Sequence, residues 1–155
     1  MKKNICIFLV LFAAIALTPA VAQGEIFELE NDFVMGYSFI ANDIAQTTRL
    51  GFNFMLTPSF NAGFMYQQAG TNYAAGSFLV FNYRFVDKVK AGIMIGRSGG
   101  NPSAGLVFGY DILNNTVKDL STVLGVRLEY LIPNISGASI ENGILGVTLG
   151  LSVGI

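Results

Sequence analysis

From residue 32 onward the chain alternates large apolar side chains with small or polar ones, in eight separate stretches. Phe33, Met35, Tyr37 and Phe39 stand against Asp32, Val34, Gly36 and Ser38. The next stretch sets Thr48, Leu50, Phe52 and Phe54 against Arg49, Gly51, Asn53 and Met55. The same rhythm recurs through 60–67, 76–85, 89–96, 104–112, 122–132 and 145–155. Successive side chains of a strand point to opposite faces, so period two predicts strands with one apolar and one small or polar face. The second face holds 12 of the 18 glycines.

Turn-forming residues separate the stretches. Thr57-Pro58-Ser59, Val86-Asp87-Lys88 and 114–119 form one set of connections, and 42–47, 68–72, 97–103 and 133–143 form the other. An even number of strands joined by short connections predicts an all-β fold, an eight-stranded antiparallel up-and-down transmembrane β-barrel. Closure would remove the unpaired edges that an open sheet presents. With both termini in the periplasm, the first set become periplasmic turns and the second set short outer loops.

The N-terminus changes the setting. Lys2 and Lys3 precede an apolar run over 5–17, and Ala20-Val21-Ala22 follows. That is the layout of a cleaved secretory signal peptide over 1–22. The run falls short of the roughly 20 residues a membrane helix needs. One barrel domain over 23–155 remains. The single cysteine, Cys6, lies in the leader, so no disulfide or thiol chemistry is expected beyond it.

Composition decides which face meets what. Hydrophobic residues make up 52% and charged residues 12%, too few charges for an ordinary soluble surface. In a soluble lipocalin-like barrel the apolar face would point inward and the other would meet water, yet that other face is rich in glycine and poor in charge. Glycine suits a narrow lumen, and an apolar exterior suits lipid. Aromatics gather near strand ends, at Phe33, Phe39, Phe60, Tyr66, Tyr73, Phe85, Tyr110 and Tyr130, as in interfacial girdles.

Candidate chemistry is sparse. The chain has no histidine, which removes the common nucleophile–histidine arrangements and histidine metal sites. No catalytic residue, cofactor or metal is expected, and no basic patch points to nucleic acid. The informative groups are charges on the small-residue face: Arg49, Arg84, Lys90, Asp111, Arg127 and Glu129, joined by Glu30 and Asp32. Arg84, Lys90 and Asp111 are expected together near the periplasmic end, with Arg127 and Glu129 higher up. They would form either a structural network or a charged constriction.

This layout resembles the small eight-stranded outer-membrane barrels, the group containing the OmpA transmembrane domain, OmpX and OmpW. The terminal strand is similar to their assembly signal, polar-x-Gly-x-x-apolar-x-apolar, at Thr148, Gly150, Val153 and Ile155, with Ile155 where phenylalanine is usual. The resemblance implies a monomer in the outer membrane of a diderm bacterium, with outer-membrane lipid and the assembly machinery as partners. It also implies a structural or surface-interaction role. A narrow pore or transporter for small or apolar solutes, its greasy path lined by Val34, Met55, Met65, Phe78 and Met94, is the alternative.

Overall fold

Strands with one apolar and one glycine-rich face can satisfy their backbone without an edge only by closing on themselves. The computed structural model, which describes residues 27–117, 120–136 and 142–154, shows that closure. The proposed leader and Ile155 lie outside the described residues.

The strands are β1 (Phe27–Ser38), β2 (Asp43–Thr57), β3 (Phe60–Gln67), β4 (Gly76–Val86), β5 (Val89–Ser98), β6 (Asn101–Val117), β7 (Leu120–Ile132) and β8 (Ile144–Gly154). Each pairs antiparallel with its sequence neighbours, and β8 closes onto β1 from Glu28↔Gly154 to Ser38↔Ile144. The start of β1, the end of β8 and the turns at 58–59 and 87–88 share one end, called here the turn end. Connections 39–42, 68–75 and 99–100 lie at the loop end.

Register fixes the barrel's shape. Stepping across the ladders from Phe27 leads through Phe54, Ala62, Phe81, Ile93, Leu106, Tyr130 and Leu145. The path returns to β1 at Tyr37, 10 residues beyond its start. With ordinary strand spacings, that stagger inclines eight strands by about 40° and leaves an interior that side chains can fill.

The faces follow the alternation. Leu29, Met35, Leu50, Leu79, Leu106, Phe108, Leu128 and Val147 all point outward and are about half exposed or more. Val34, Met65, Phe78, Met94 and Leu131 point inward and are fully buried.

Strand ends differ from the sequence expectation. β1 begins at Phe27, and the β1–β2 hairpin stays paired up to Ser38↔Asp43. Its turn is therefore 39–42 rather than 42–47, with Asn42 in the left-handed region at φ 54°. The connection expected over 97–103 shrinks to Gly99 and Gly100, at φ 58° and 82°. Two successive positive φ angles make the type I′ turn whose twist matches the flanking strands, and glycine adopts them without a Cβ clash. Expected as a turn over 114–119, the β6–β7 connection is instead strand as far as Val117↔Leu120. Polar side chains did not end these strands because a hairpin that leaves the apolar belt needs no apolar face.

Candidate functional site

The inward charges form three groups, each assembled by register. Register shifts near Met55, Arg84 and Asp111 mark bulges at the turn end. A bulge bends its strand and re-aims neighbouring side chains. Here Lys90 Nζ lies 3.0 Å from Asp111 Oδ1, and Arg84 Nη2 lies 3.9 Å from Asp111 Oδ2. The Arg84 side chain keeps 29% of its surface exposed, whereas Asp111 is buried. The three residues expected together are therefore together, with Arg84 the loosest member. A small pocket beside them is lined by Met55, Pro58, Ser59, Phe60, Asn61, Asn82, Arg84 and Lys90.

Midway up the lumen, Arg127 on β7 reaches across β8 to β1. Its guanidinium pairs with Glu30, and Nη1 donates to Asp32 Oδ2 at 3.0 Å. Asn53 Nδ2 donates to Glu30 Oε2 at 3.3 Å. Gly150, between β7 and β1, makes this crossing possible: a Cβ there would stand 2.5 Å from Asp32 Oδ1 and 3.2 Å from Arg127 Nη2.

Nearer the loop end, Arg49 on β2 pairs bidentately with Glu129 on β7, Nη2 donating to Oε1 at 2.7 Å while Nη1 contacts Oε2. Arg49 Nε donates to Gln67 Oε1 at 2.9 Å, and Thr148 Oγ1 donates to Glu129 Oε2 at 3.0 Å. Tyr73 enters from the 68–75 connection and donates its hydroxyl to Glu129 Oε1 at 3.2 Å. Its ring lies 5.7 Å from the Arg49 guanidinium carbon, within cation–π range. Burial, and then the Glu129 carboxylate, raise the Tyr73 phenol well above its ordinary value, so it remains a donor.

Tyr73 is thus a lumen residue and not the girdle aromatic expected from its place near a strand end. Two isolated bridges, Gln46↔Thr71 and Gly70↔Tyr73, fold the connection back onto the barrel. Gln67 Nε2 fastens it further by donating to Ala74 O at 2.7 Å. Sequence alternation places Gln67 inward beside Arg49 but could not flag Tyr73, whose role exists only once the loop folds inward.

Arg127 and Glu129 share a face as expected, but each pairs with another strand. Above the turn end, the charged groups lie on β1, β2 and β7, joined by Thr148 from β8 and Gln67 from β3. Met65, Phe78, Val80 and Met94 fill the opposite side from β3, β4 and β5. Residues facing a water-filled channel would be wetted by it, yet Arg49, Phe78, Met94, Leu131 and Gln67 are each at most 1% exposed. The proposed apolar path is packed: Val34, Met65, Phe78 and Met94 belong to one buried cluster. Met55 lies at the turn-end pocket instead.

Of the proposed assembly residues, Thr148 and Gly150 face the lumen groups just described, and Val153 alternates to the other face. Ile155 lies outside the described residues. What this arrangement can do chemically is neutralise buried charge and link one strand to another across the lumen.

No protein-family model and no curated protein matches the chain. Among solved structures, the chain is similar to one described as "De novo design of transmembrane beta-barrels". The likeness is at 15% sequence identity and a TM-score of 0.49, and covers 86% of this chain and 98% of that one.

Proposed function

We propose that this chain is an integral barrel of the outer membrane of a diderm bacterium, exported by its 1–22 leader. Its role is structural or surface-interacting, without enzymatic activity. The observation that carries the reading is the inverted distribution of polarity. Leu29, Met35, Leu79, Ile95, Leu106, Phe108, Leu128 and Leu149 present an apolar belt on the outside, while Arg49, Asp32, Asp111 and Glu129 are buried within. Such a belt far exceeds the apolar patches soluble monomers expose, and lipid is the solvent that suits it. A soluble lipocalin-like barrel would need the opposite arrangement.

Resemblance to the OmpA, OmpX and OmpW group, and the Thr148-x-Gly150-x-x-Val153-x-Ile155 ending, support the assembly machinery as the partner that inserts it. The packed lumen favours a brace over a pore.

Fractionation and gel mobility test the proposal together. The protein is expected to stay with membranes through an alkaline wash and to migrate differently before and after boiling. Release into the soluble fraction with unchanged mobility would overturn it. In a planar bilayer the folded protein is expected to be silent. Reproducible conductance steps that respond to Arg84 or Lys90 substitution would replace the brace with a pore.

A further inference from the structure

On the outer face of β1, Asn31 breaks the apolar belt. Leu29 and Phe33 flank it along the strand, and register places Leu50 and Leu151 on either side. Those four neighbours are 52%, 45%, 51% and 47% exposed, so the asparagine sits inside an apolar surface. Asn31 is itself exposed and its side chain makes no hydrogen bond to a described residue.

The other polar residues on this face have an outlet. Thr48 donates its hydroxyl to Gln68 Oε1 at 2.8 Å. Gln46, Ser77, Arg97 and Thr122 stand near strand ends, where water is close. Asn31 has neither a partner among the described residues nor that position. A carboxamide offers two donors and an acceptor, and in hydrocarbon an unmet polar group is costly.

We propose that two copies of this chain associate within the membrane through the outer face of β1, their Asn31 carboxamides paired across a two-fold axis. The inference rests on the membrane reading and replaces the monomer expected from sequence. All copies of a membrane protein insert with the same sidedness, so a two-fold axis along the membrane normal brings each residue to the depth of its own counterpart. A different partner would need a polar group placed at that same depth, whereas a second copy has one by construction. Asparagine is self-complementary, each amide donating to the other's carbonyl oxygen, and a two-fold contact is self-complementary in the same sense. The surrounding leucines and phenylalanine carry no charge to repel the approaching copy. Polar pairs of this kind assist association between membrane segments where hydrophobic burial gives no drive.

The test uses Leu29→Cys in the full chain, with Cys6 replaced by serine, treated in native membranes with a short thiol-to-thiol cross-linker. A product at twice the monomer mass is expected, and it should be lost when Asn31→Leu is added. Phe108→Cys, outward-facing on β6, should give no such product. The proposal is overturned if Leu29→Cys cross-links no better than Phe108→Cys, if Asn31→Leu leaves the product intact, or if the product contains a different protein. The boiled and unboiled mobilities of the same samples separate the two failures. Absent cross-linking with the mobility shift retained overturns the pairing alone. A lost shift with release from membranes overturns the membrane reading and the pairing with it.

Discussion

Arg49 and Glu129, 80 residues apart in sequence, meet inside the barrel as a bidentate pair in which both side chains are 1% exposed. Removing one partner strands a buried charge, whereas removing both leaves only the neutral groups of Gln67, Tyr73 and Thr148 to find new partners. Arg49→Met alone is therefore expected to cost about 3–5 kcal/mol. Adding Glu129→Met should recover a large part of that loss. Urea unfolding in lipid vesicles measures both variants, and a double variant as unstable as the single would show that pairing is not what matters.

At the turn end the expected order is Asp111 well above Arg84. Asp111→Ala leaves the buried Lys90 ammonium without its 3.0 Å partner and should cost about 2–4 kcal/mol. Arg84 is part exposed and 3.9 Å away, so Arg84→Ala should cost below about 1 kcal/mol. Equal losses for the two would mean that the lysine is solvated in an open mouth.

Tyr73 both donates a hydrogen bond and occupies space. Tyr73→Phe removes only the bond to Glu129 and should cost about 0.5–1.5 kcal/mol. Tyr73→Ala also opens a cavity, for about 3–5 kcal/mol, and admits water to the loop end. A cysteine at the buried Ser98 position reports the second effect. It should react slowly with a water-soluble thiol reagent in the parent and quickly beside Tyr73→Ala. Equal rates would mean that this ring does not close the lumen.

Two glycines should fail for different reasons. Gly150→Ala pushes a methyl against Asp32 and Arg127 and is expected to cost about 1–3 kcal/mol by overpacking. Gly100→Ala meets nothing within 4 Å, yet its φ of 82° is unfavourable for any residue with a Cβ, for about 1–2 kcal/mol. Adding Asp32→Asn should change the first penalty and leave the second untouched, measured as unfolding midpoints.

The fold was legible because period two survives where a strand has contrasting faces. Phe33 through Tyr37 declared both the strand and which residues would be inward, and the same holds along β7 and β8. Strand ends were less legible. Asp43, Gln46 and Thr47 look like loop residues, but they continue β2 because a hairpin above the belt can be polar on both faces. The inward charges were legible as a set, since alternation alone places Arg49 and Glu129 on the glycine-rich face. Their partners were not. Which carboxylate faces which guanidinium depends on the 10-residue stagger around the barrel, a property of all eight ladders that no single stretch contains. Tyr73 needed still more, since its place depends on a loop folding back.

The ladder between β8 and β1 joins the last described strand to the first. Until Ile144–Gly154 emerges, every N–H and C=O on the open side of β1 lacks its strand partner, and the two halves of the Arg127–Asp32 contact have nothing holding them at one distance. Residues so far apart in sequence must both be present before this ladder can form, so the edge of β1 stays uncovered until β8 pairs with it. Under the export proposed above, escort in transit is thus a demand of the topology, independent of whatever the finished barrel goes on to do.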